Sequence, residues 1–273
     1  METPADSVPP SGVEPAGVAS EAPRSTPAVV ARDLVRRHDR AALATIFRTD
    51  PTATPPRRLA TGWPYVSLVL SATDLDGNPL LLLSDLADHS RNLAAEPRLS
   101  LLYDGTRGLA EPLTGSRLTL AGQAERSDHS RHRRRFLARH PGAALYADFA
   151  DFRLYRVRVE RGHLVAGFGR IHWLGSDELL VPEPDWRALA EAEPALLGRL
   201  NAEHASILAA LGLKLVGEAG PWQLTGVDPE GCDLRLGGRT ARLSFPERVS
   251  DPDAIAGVIA EGATGATTDK SGG

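Results

Sequence analysis

The sequence has little of what stabilises or targets many other classes of protein. Cys232 is its only cysteine in 273 residues, which excludes an internal disulfide framework and a cysteine-based zinc cluster. No stretch approaches the roughly 18 uncharged apolar residues that a membrane-spanning helix needs. The first residues form neither a positive nor an apolar segment, so we expect no signal peptide, a cytoplasmic location and no membrane partner.

Lysine is also scarce, and the charge balance is not that of a general polyanion binder. Lys214 and Lys270 are the only lysines, and 35 acidic residues face 31 basic ones, for a formal net charge of −4. Proteins that bind nucleic acid through bulk electrostatics usually carry a clear positive excess. We therefore expect no nucleic-acid partner.

Both ends of the chain lack large apolar residues. Residues 1–27 hold six of the 21 prolines, and residues 264–273 consist mostly of glycine, serine, threonine and alanine. Such segments bury too little apolar surface to offset the entropy lost on ordering them. We predict a disordered tail over residues 1–27 and another over 264–273.

The segment 28–176 has the pattern of a β-rich domain. Thr26-Pro27 is a typical helix start, and six or more short apolar runs follow with few helical stretches between them. Two of these runs, 65–73 and 80–84, flank the turn sequence Asp74-Leu75-Asp76-Gly77-Asn78, which predicts an antiparallel hairpin. Many short strands with few helices indicate an antiparallel barrel or sandwich.

The C-terminal part has a different pattern. A proline-rich linker over residues 181–185 precedes a helical stretch over 187–213, which we expect to break near Pro194. Three short strands and a closing helix over 251–262 follow. We predict a small α+β domain over residues 187–263.

One group of polar residues comes directly after a predicted strand. Ser90, Arg91 and Asn92 lie in a short predicted helix, where free N–H groups, a hydroxyl and a guanidinium can together bind a phosphate. On spacing alone, a solvated helix face is the simpler interpretation.

A second polar group is the arginine-rich stretch 131–139. We expect a solvated helix face there, with Phe136 and Leu137 turned inward. The alternative is that one or two of its arginines bind an anionic ligand.

The eight histidines show no zinc-binding spacing such as H-x-x-x-H. His172 follows the turn sequence Gly167-Phe168-Gly169-Arg170, where a backbone can approach a ligand closely. It is a candidate heme ligand, with a structural position at a strand end as the simpler interpretation.

Several stretches carry motifs that occur together in one known family. They are Pro64-Tyr65-Val66-Ser67-Leu68-Val69, residues 84–92 with 96–101, residues 118–124, residues 136–141 through 149–152, and residues 165–169. Together they resemble pyridoxamine 5′-phosphate oxidase-related proteins, and among these the heme-utilisation branch. Residues 190–262, with Asn201-Ala202-Glu203-His204, resemble the small C-terminal domain that often accompanies this branch.

The resemblance implies an α+β fold, namely a six-stranded antiparallel split β-barrel followed by a small α+β domain. It also implies a homodimer with ligand sites at the subunit interface and FMN as the usual ligand. The family holds the FMN phosphate with a Ser-Arg-Lys element, which matches Ser90, Arg91 and Asn92 with asparagine in place of the lysine. Ser67 and Gln123 are expected to reach the flavin ring or the ribityl chain.

Three hypotheses about function remain open. The first is an FMN-binding, flavin-dependent oxidoreductase that acts on an unknown small molecule. The second is heme binding or degradation, with His172 as iron ligand and arginines of the stretch 131–139 binding the propionates. The third is a non-catalytic heme or flavin carrier. Relatives that open the heme ring place their iron ligand very near the C-terminus, where residues 205–273 contain no histidine. No triad or carboxylate pair recommends another reaction, and no catalytic residue is assigned.

Overall fold

The computed structural model describes residues 26–49, 60–167 and 169–265. The predicted tails lie outside these ranges, except for residues 26, 27, 264 and 265. None of the helices in the described ranges is long and apolar enough to cross a membrane.

The described residues form helices and strands in the following order. The helices are α1 Pro27–Arg37, α2 Asp88–Ala95, α3 Ser130–Arg139, α4 Ser176–Leu179, α5 Glu183–Glu203, α6 Ala205–Val216 and α7 Ile255–Thr264. The strands are β1 Arg40–Ile46, β2 Pro64–Leu70, β3 Ala72–Thr73, β4 Pro79–Ser84, β5 Arg98–Asp104, β6 Ser116–Arg126, β7 Phe152–Ala166, β8 Ile171–Gly175, β9 Gln223–Asp228, β10 Gly231–Leu236 and β11 Arg239–Ser244.

Helix α1 begins where the sequence predicts it. The Thr26 side chain accepts a hydrogen bond from the Val29 N–H at 3.4 Å, and Pro27 occupies the first turn, where its missing N–H costs nothing. The helix buries Leu34 and Val35 in the main core.

The large sheet is antiparallel, with strand order β2-β1-β5-β6-β7-β4-β3 and β8 paired to β7. Its inner face, together with α1, forms the main core around Leu43, Leu101, Tyr103, Leu118 and Leu164. The predicted split-barrel fold is confirmed. The sheet has eight strands instead of six because it includes the two-residue β3 and the five-residue β8.

The predicted hairpin of residues 65–73 with 80–84 is wrong in its extent. Strand β2 pairs with β1 along its whole length, and only Ala72 and Thr73 pair with β4. Strand β4 pairs instead with β7. The turn between β3 and β4 is buried, and Asp74 within it accepts two hydrogen bonds from Arg131 of α3 at 2.8 and 2.9 Å.

The C-terminal α/β unit, defined here as α5 to α7 with the sheet β9-β10-β11, has a core of its own. The predicted break near Pro194 is wrong, because α5 runs through this residue and ends at Glu203. A proline costs the helix one backbone hydrogen bond, but buried Leu189 and Leu196 flank it and hold both halves on the core. The domain limits stay a prediction.

The expected solvated face of α3 is also wrong. Arg135, Arg139 and His132 are buried along with Phe136. Arg135 donates from Nε to the Thr73 carbonyl of the large sheet at 2.8 Å. Its Nη1 donates to the Val227 carbonyl of the C-terminal unit at 3.0 Å and also contacts the Glu193 carboxylate. These arginines are buried because α3 lies between the two sheets, where carbonyls and carboxylates serve as acceptors.

The ion pair between Arg135 and Glu193 gives a test of this arrangement. Arg135→Leu should lower the free energy of unfolding by about 3–5 kcal/mol, because it leaves the Glu193 carboxylate buried without its partner. Urea unfolding of the two proteins measures the difference. Arg187→Leu, which breaks an exposed pair with Glu183, should cost no more than about 1 kcal/mol. Equal losses in the two variants would contradict the burial argument.

Candidate functional site

The residues predicted to bind phosphate lie at the start of α2. The N-cap residue Ala87 supplies no side-chain hydrogen bond to the first turn. The Ser90 hydroxyl is buried and has no hydrogen-bond partner in the part of the chain that the structure describes, which is rare for a buried polar group. Arg91 is exposed beside it. A hydroxyl, helix N–H groups and a guanidinium at one helix end suit an anionic group.

His89 joins this helix to the edge of the large sheet. Its Nδ1 lies 3.0 Å from the Ser67 hydroxyl of β2. Burial lowers the pKa of His89, which favours the neutral imidazole. The fold therefore brings Ser67 close to the helix that carries Ser90, Arg91 and Asn92. The prediction that one FMN molecule contacts all of these residues requires this proximity. Ser67 shares the inner side of the sheet with its register partner Leu43.

Asn92 has a different environment from Ser90 and Arg91. It is fully buried, and its Oδ1 accepts a hydrogen bond from the Arg48 N–H at 2.9 Å. Its Nδ2 donates to the Thr45 hydroxyl at 3.0 Å. These contacts tie α2 to the end of β1. That Asn92 binds a ligand stays a prediction. The hydrogen bonds that it makes in the structure hold α2 against the end of β1.

The opposite side of the large sheet, called the outer face below, carries a row of aligned residues. The strand register places Leu68, Ala42, Leu102, Thr119, His163 and Trp173 side by side across β2, β1, β5, β6, β7 and β8. Leu68 is 70% exposed and Trp173 is 65% exposed, and Val66, Leu70 and Ile171 add to the patch. An apolar surface of this extent is unusual on a protein that works as a monomer.

At one end of this row, the His163 ring stacks on the indole of Trp173. The ring centroids are 4.5 Å apart and the planes differ by 27°. The imidazole of His163 makes no hydrogen bond with any residue in the described ranges, and Arg161 lies exposed two residues earlier on β7. An imidazole, a guanidinium and apolar side chains thus share one face.

A cleft of about 390 Å³ lies beside this row on the same face. Ala44, Ser100, Ala121, Arg98 and Glu160 are among the residues that line it. This volume falls within the range of small-molecule pockets, about 300–1,000 Å³. Gln123 lies at the edge of the cleft, where its Nε2 donates to the Glu160 carboxylate at 2.8 Å. One chain therefore places Gln123 and Ser67 on opposite sides of the sheet.

His172 does not share the outer face. It pairs in register with the core residue Leu164, and alternation along β8 turns it away from the side that Trp173 occupies. The turn before it has the predicted tight geometry, with positive φ at Gly167 and Gly169, whereas Phe168 lies outside the described residues. Within the described ranges, no group of three or more His, Cys, Asp or Glu side chains is arranged to hold a metal ion.

Comparison with known proteins assigns this architecture. The model of the CREG β-barrel family matches residues 22–180, more than half of the chain. The chain belongs to the CREG β-barrel family. The predicted resemblance to the heme-utilisation branch of the split barrels is confirmed with it.

Two solved structures resemble this CREG β-barrel protein over most of its length. A protein of unknown function from Agrobacterium tumefaciens is 30% identical, with a TM-score of 0.70, and the match covers 86% of this chain and 94% of that one. A heme-binding protein from Mycobacterium smegmatis is also 30% identical, with a TM-score of 0.50, over 88% of this chain and 97% of that one.

A curated relative matches part of the CREG β-barrel chain. The chloroplastic non-canonical heme oxygenase HOZ of Arabidopsis thaliana is 38% identical over 120 residues, which are 43% of this chain. The match spans only 36% of that protein's length.

Sequence reasoning missed three residues of the candidate site in this CREG β-barrel protein. His89, His163 and Trp173 are far apart in the chain and follow no ligand motif. The available signal was period-two alternation along β8 and along the part of β7 after its register shift near Glu160, which places His163 and Trp173 on the same side of the sheet.

The pyridoxamine 5′-phosphate oxidase-related proteins have lysine where this chain has Asn92. The environment of Asn92 predicts what introducing that lysine would do. Asn92→Lys should lower the free energy of unfolding by about 1–3 kcal/mol, because it buries an ammonium and leaves Arg48 N–H and the Thr45 hydroxyl unpaired. Chemical denaturation measures the loss. Arg91→Lys, at the exposed neighbouring position, is the control and should be nearly neutral. Unchanged stability together with tighter FMN binding would contradict a structural role.

Proposed function

We propose that this protein is a homodimer that binds heme on its outer face. The main support is the row of aligned residues on the outer face, which ends in the stacked rings of His163 and Trp173. Two relatives, at 30% and 38% identity, are described as a heme-binding protein and a heme oxygenase. A tetrapyrrole is large, flat and apolar, with two carboxylates at one edge. It needs an apolar surface, a cation and, for iron ligation, an imidazole.

The outer face offers each of these groups. Leu102 and Trp173 supply apolar area, and Arg161 lies exposed two residues from His163, where it is available for a propionate. His163 is the candidate iron ligand, in preference to His172, which faces the other side. Heme, when bound, supplies oxygen-binding and redox chemistry, while these residues position it and exclude water.

A second copy of the chain supplies the cover that this face lacks. The large apolar side chains of β2, β5 and β8 are exposed in one chain, and burying them is favourable by about 25 cal/mol per Å². The cytoplasmic location stays a prediction.

Flavin binding is the second candidate function. The Ser90 hydroxyl favours it, because it is buried and has no partner among the described residues. Ser90, Arg91 and the N–H groups at the start of α2 would hold the FMN phosphate. FMN, when bound, supplies hydride and electron chemistry. The absorbance spectrum of the purified protein separates the two functions, because flavin and heme absorb differently.

The heme proposal predicts the effect of removing the candidate ligand. His163→Ala should weaken hemin binding by about tenfold or more, a loss of at least ~1.4 kcal/mol, and shift the Soret band. Hemin titration followed by absorbance measures both. His172→Ala is the matched comparison and should leave both unchanged. The reverse pattern would assign the iron to His172, and a wild type that binds no hemin would refute the proposal.

The dimer proposal predicts that Leu68→Arg yields a monomer. An unpaired guanidinium in an apolar interface costs several kcal/mol, enough to weaken dimerisation by more than about 100-fold. Analytical ultracentrifugation at micromolar concentration shows the change. Leu213→Arg alters a half-exposed leucine on α6 of the C-terminal unit, outside the large sheet, and it should leave the dimer intact. A wild type that sediments as a monomer would overturn the proposal.

The flavin candidate predicts that Arg91→Ala weakens FMN binding by roughly one to two orders of magnitude, because a charge-assisted contact to phosphate is worth about 1.5–3 kcal/mol. Fluorescence titration measures the affinity. Riboflavin lacks the phosphate and should bind both proteins equally. Equal FMN affinities would remove Arg91 from the site.

A further inference from the structure

We propose that Ser127, His132 and Asp74 form a nucleophilic site that hydrolyses small carboxylic esters. Ser127 directly follows strand β6, His132 lies in the first turn of α3, and Asp74 lies in the turn between β3 and β4. None of the three belongs to the outer face or to α2, so this inference does not depend on the proposed heme or flavin function.

The three side chains form a continuous chain of hydrogen bonds. The Ser127 hydroxyl lies 2.6 Å from His132 Nδ1, and His132 Nε2 lies 3.1 Å from Asp74 Oδ2. A serine nucleophile needs a base within hydrogen-bond reach and a third group that orients the base. No motif in the sequence marks this group, because Asp74 and His132 are 58 residues apart.

Asp74 is held as a carboxylate in a fixed position. Its side chain is almost fully buried, and Arg131 donates to both of its oxygens. Burial opposes its ionisation, but hydrogen bonds from His132 and Arg131 hold the pKa of Asp74 well below its usual range. Since Arg131 offsets part of the negative charge, Asp74 acts chiefly as a positioning residue for the His132 ring. We therefore expect slow turnover.

The partners of the His132 ring determine where its proton lies. An ionised carboxylate only accepts hydrogen bonds, so Nε2 carries the proton that Asp74 accepts, and Nδ1 of the neutral ring is an acceptor. The Ser127 oxygen already accepts the His129 N–H at 3.3 Å. Its own O–H is therefore directed at His132 Nδ1, as proton transfer to His132 requires.

Burial differs along this chain of hydrogen bonds in the way that a nucleophile needs. His132 and Asp74 are buried, whereas Ser127 is half-buried beside the exposed His129. The Ser127 N–H donates to the Leu154 carbonyl of β7 at 2.9 Å, which fixes the residue at the end of β6. The base is thus shielded from bulk water, while a small ester can reach the hydroxyl from the surface.

N–H groups for the developing oxyanion follow Ser127 at the start of α3. Neither the Ser130 N–H nor the His132 N–H makes a hydrogen bond with a residue in the described ranges. Both belong to the first turn of a ten-residue helix, where the helix dipole is positive. Backbone donors of this kind stabilise the oxyanion that forms when a hydroxyl attacks an ester carbonyl.

The reaction balances with water as the second substrate. Ser127 Oγ bonds to the ester carbonyl carbon while its proton passes to His132 Nδ1. The bond to the alcohol oxygen then breaks, and the leaving alcohol takes that proton. Water attacks the acyl-serine with His132 again as the base, which releases the carboxylic acid and restores the Ser127 hydroxyl.

Fluorophosphonate labelling of the full chain and hydrolysis of p-nitrophenyl acetate test the site together. The wild type should gain a phosphonyl group that peptide mass spectrometry locates at Ser127. Ser127→Ala should lose this label and lower kcat/KM for the ester by about 100-fold or more. His132→Gln should slow the labelling of the intact Ser127 by a similar factor, because the hydroxyl loses its base.

Asp74→Asn tests the positioning role. Its amide can donate to His132 Nε2, which moves the ring proton to Nδ1 and blocks transfer from Ser127. The rate constant for labelling should fall by about tenfold or more, while the final labelled fraction stays the same. A merely structural role would lower the labelled fraction and leave the rate constant unchanged.

Ser244→Ala is the matched control. Among the described residues this exposed serine contacts Asp33 and Arg37 but no histidine, so labelling and ester hydrolysis should not change. The proposal is overturned if the wild type is not labelled at Ser127, if His132→Gln is labelled as fast as the wild type, or if Ser127→Ala hydrolyses the ester at the wild-type rate.

Discussion

The large sheet carries apolar side chains on both faces, and the chain itself covers one of them with α1 and the other only near β4, where α3 packs on it. Along β1, β5, β6 and β7, alternate residues point into the core that α1 closes, which fixes the strand register. The residues between them form the outer face, where Leu68, Leu102 and Trp173 stay exposed. The cleft, the His163–Trp173 stack and the proposed dimer contact all follow from this single imbalance.

Charge, more than apolar contact, joins the C-terminal α/β unit to the sheet. Arg135 reaches from α3 to Glu193 and Val227, and Arg36 reaches from α1 to Asp228. Buried ion pairs add little net stability compared with apolar contacts, but they demand a defined geometry because an unpaired buried charge is costly. The near absence of lysine agrees with this use. Arginine stays charged when buried and offers a planar fork that lysine lacks.

The candidate ligand groups are distributed over the two sides of the sheet. Ser67, His89 and Ser90 lie together near the start of α2, whereas Gln123, Arg98 and His163 belong to the outer face. This arrangement suits a site completed by a second chain. It also separates the candidate phosphate-binding residues of α2 from the apolar side chains and the imidazole of the outer face. Flavin and heme would therefore use different parts of the protein.

Local pattern in the sequence predicted the helix start at Thr26-Pro27, the β-rich barrel, the separate C-terminal sheet and the position of Ser90 and Arg91 in a short helix after a strand. It erred where long-range contacts outweigh local preference. Turn chemistry at residues 74–78 predicted a long hairpin, but the burial of β4 against β7 limited it to β3. Helix α3 has the sequence pattern of a solvated face, because the acceptors that bury Arg135 are 58 to 92 residues away in the chain.

The sequence by itself determined which segments can form strands and helices, since period and turn chemistry depend on neighbouring residues alone. Only the tertiary structure decided which strands pair, which face of the sheet is left uncovered and which charges are buried. It placed Asn92 as a tie between α2 and β1, and it aligned His163 with Trp173. These outcomes depend on contacts between residues distant in sequence, whose free energy no local pattern contains.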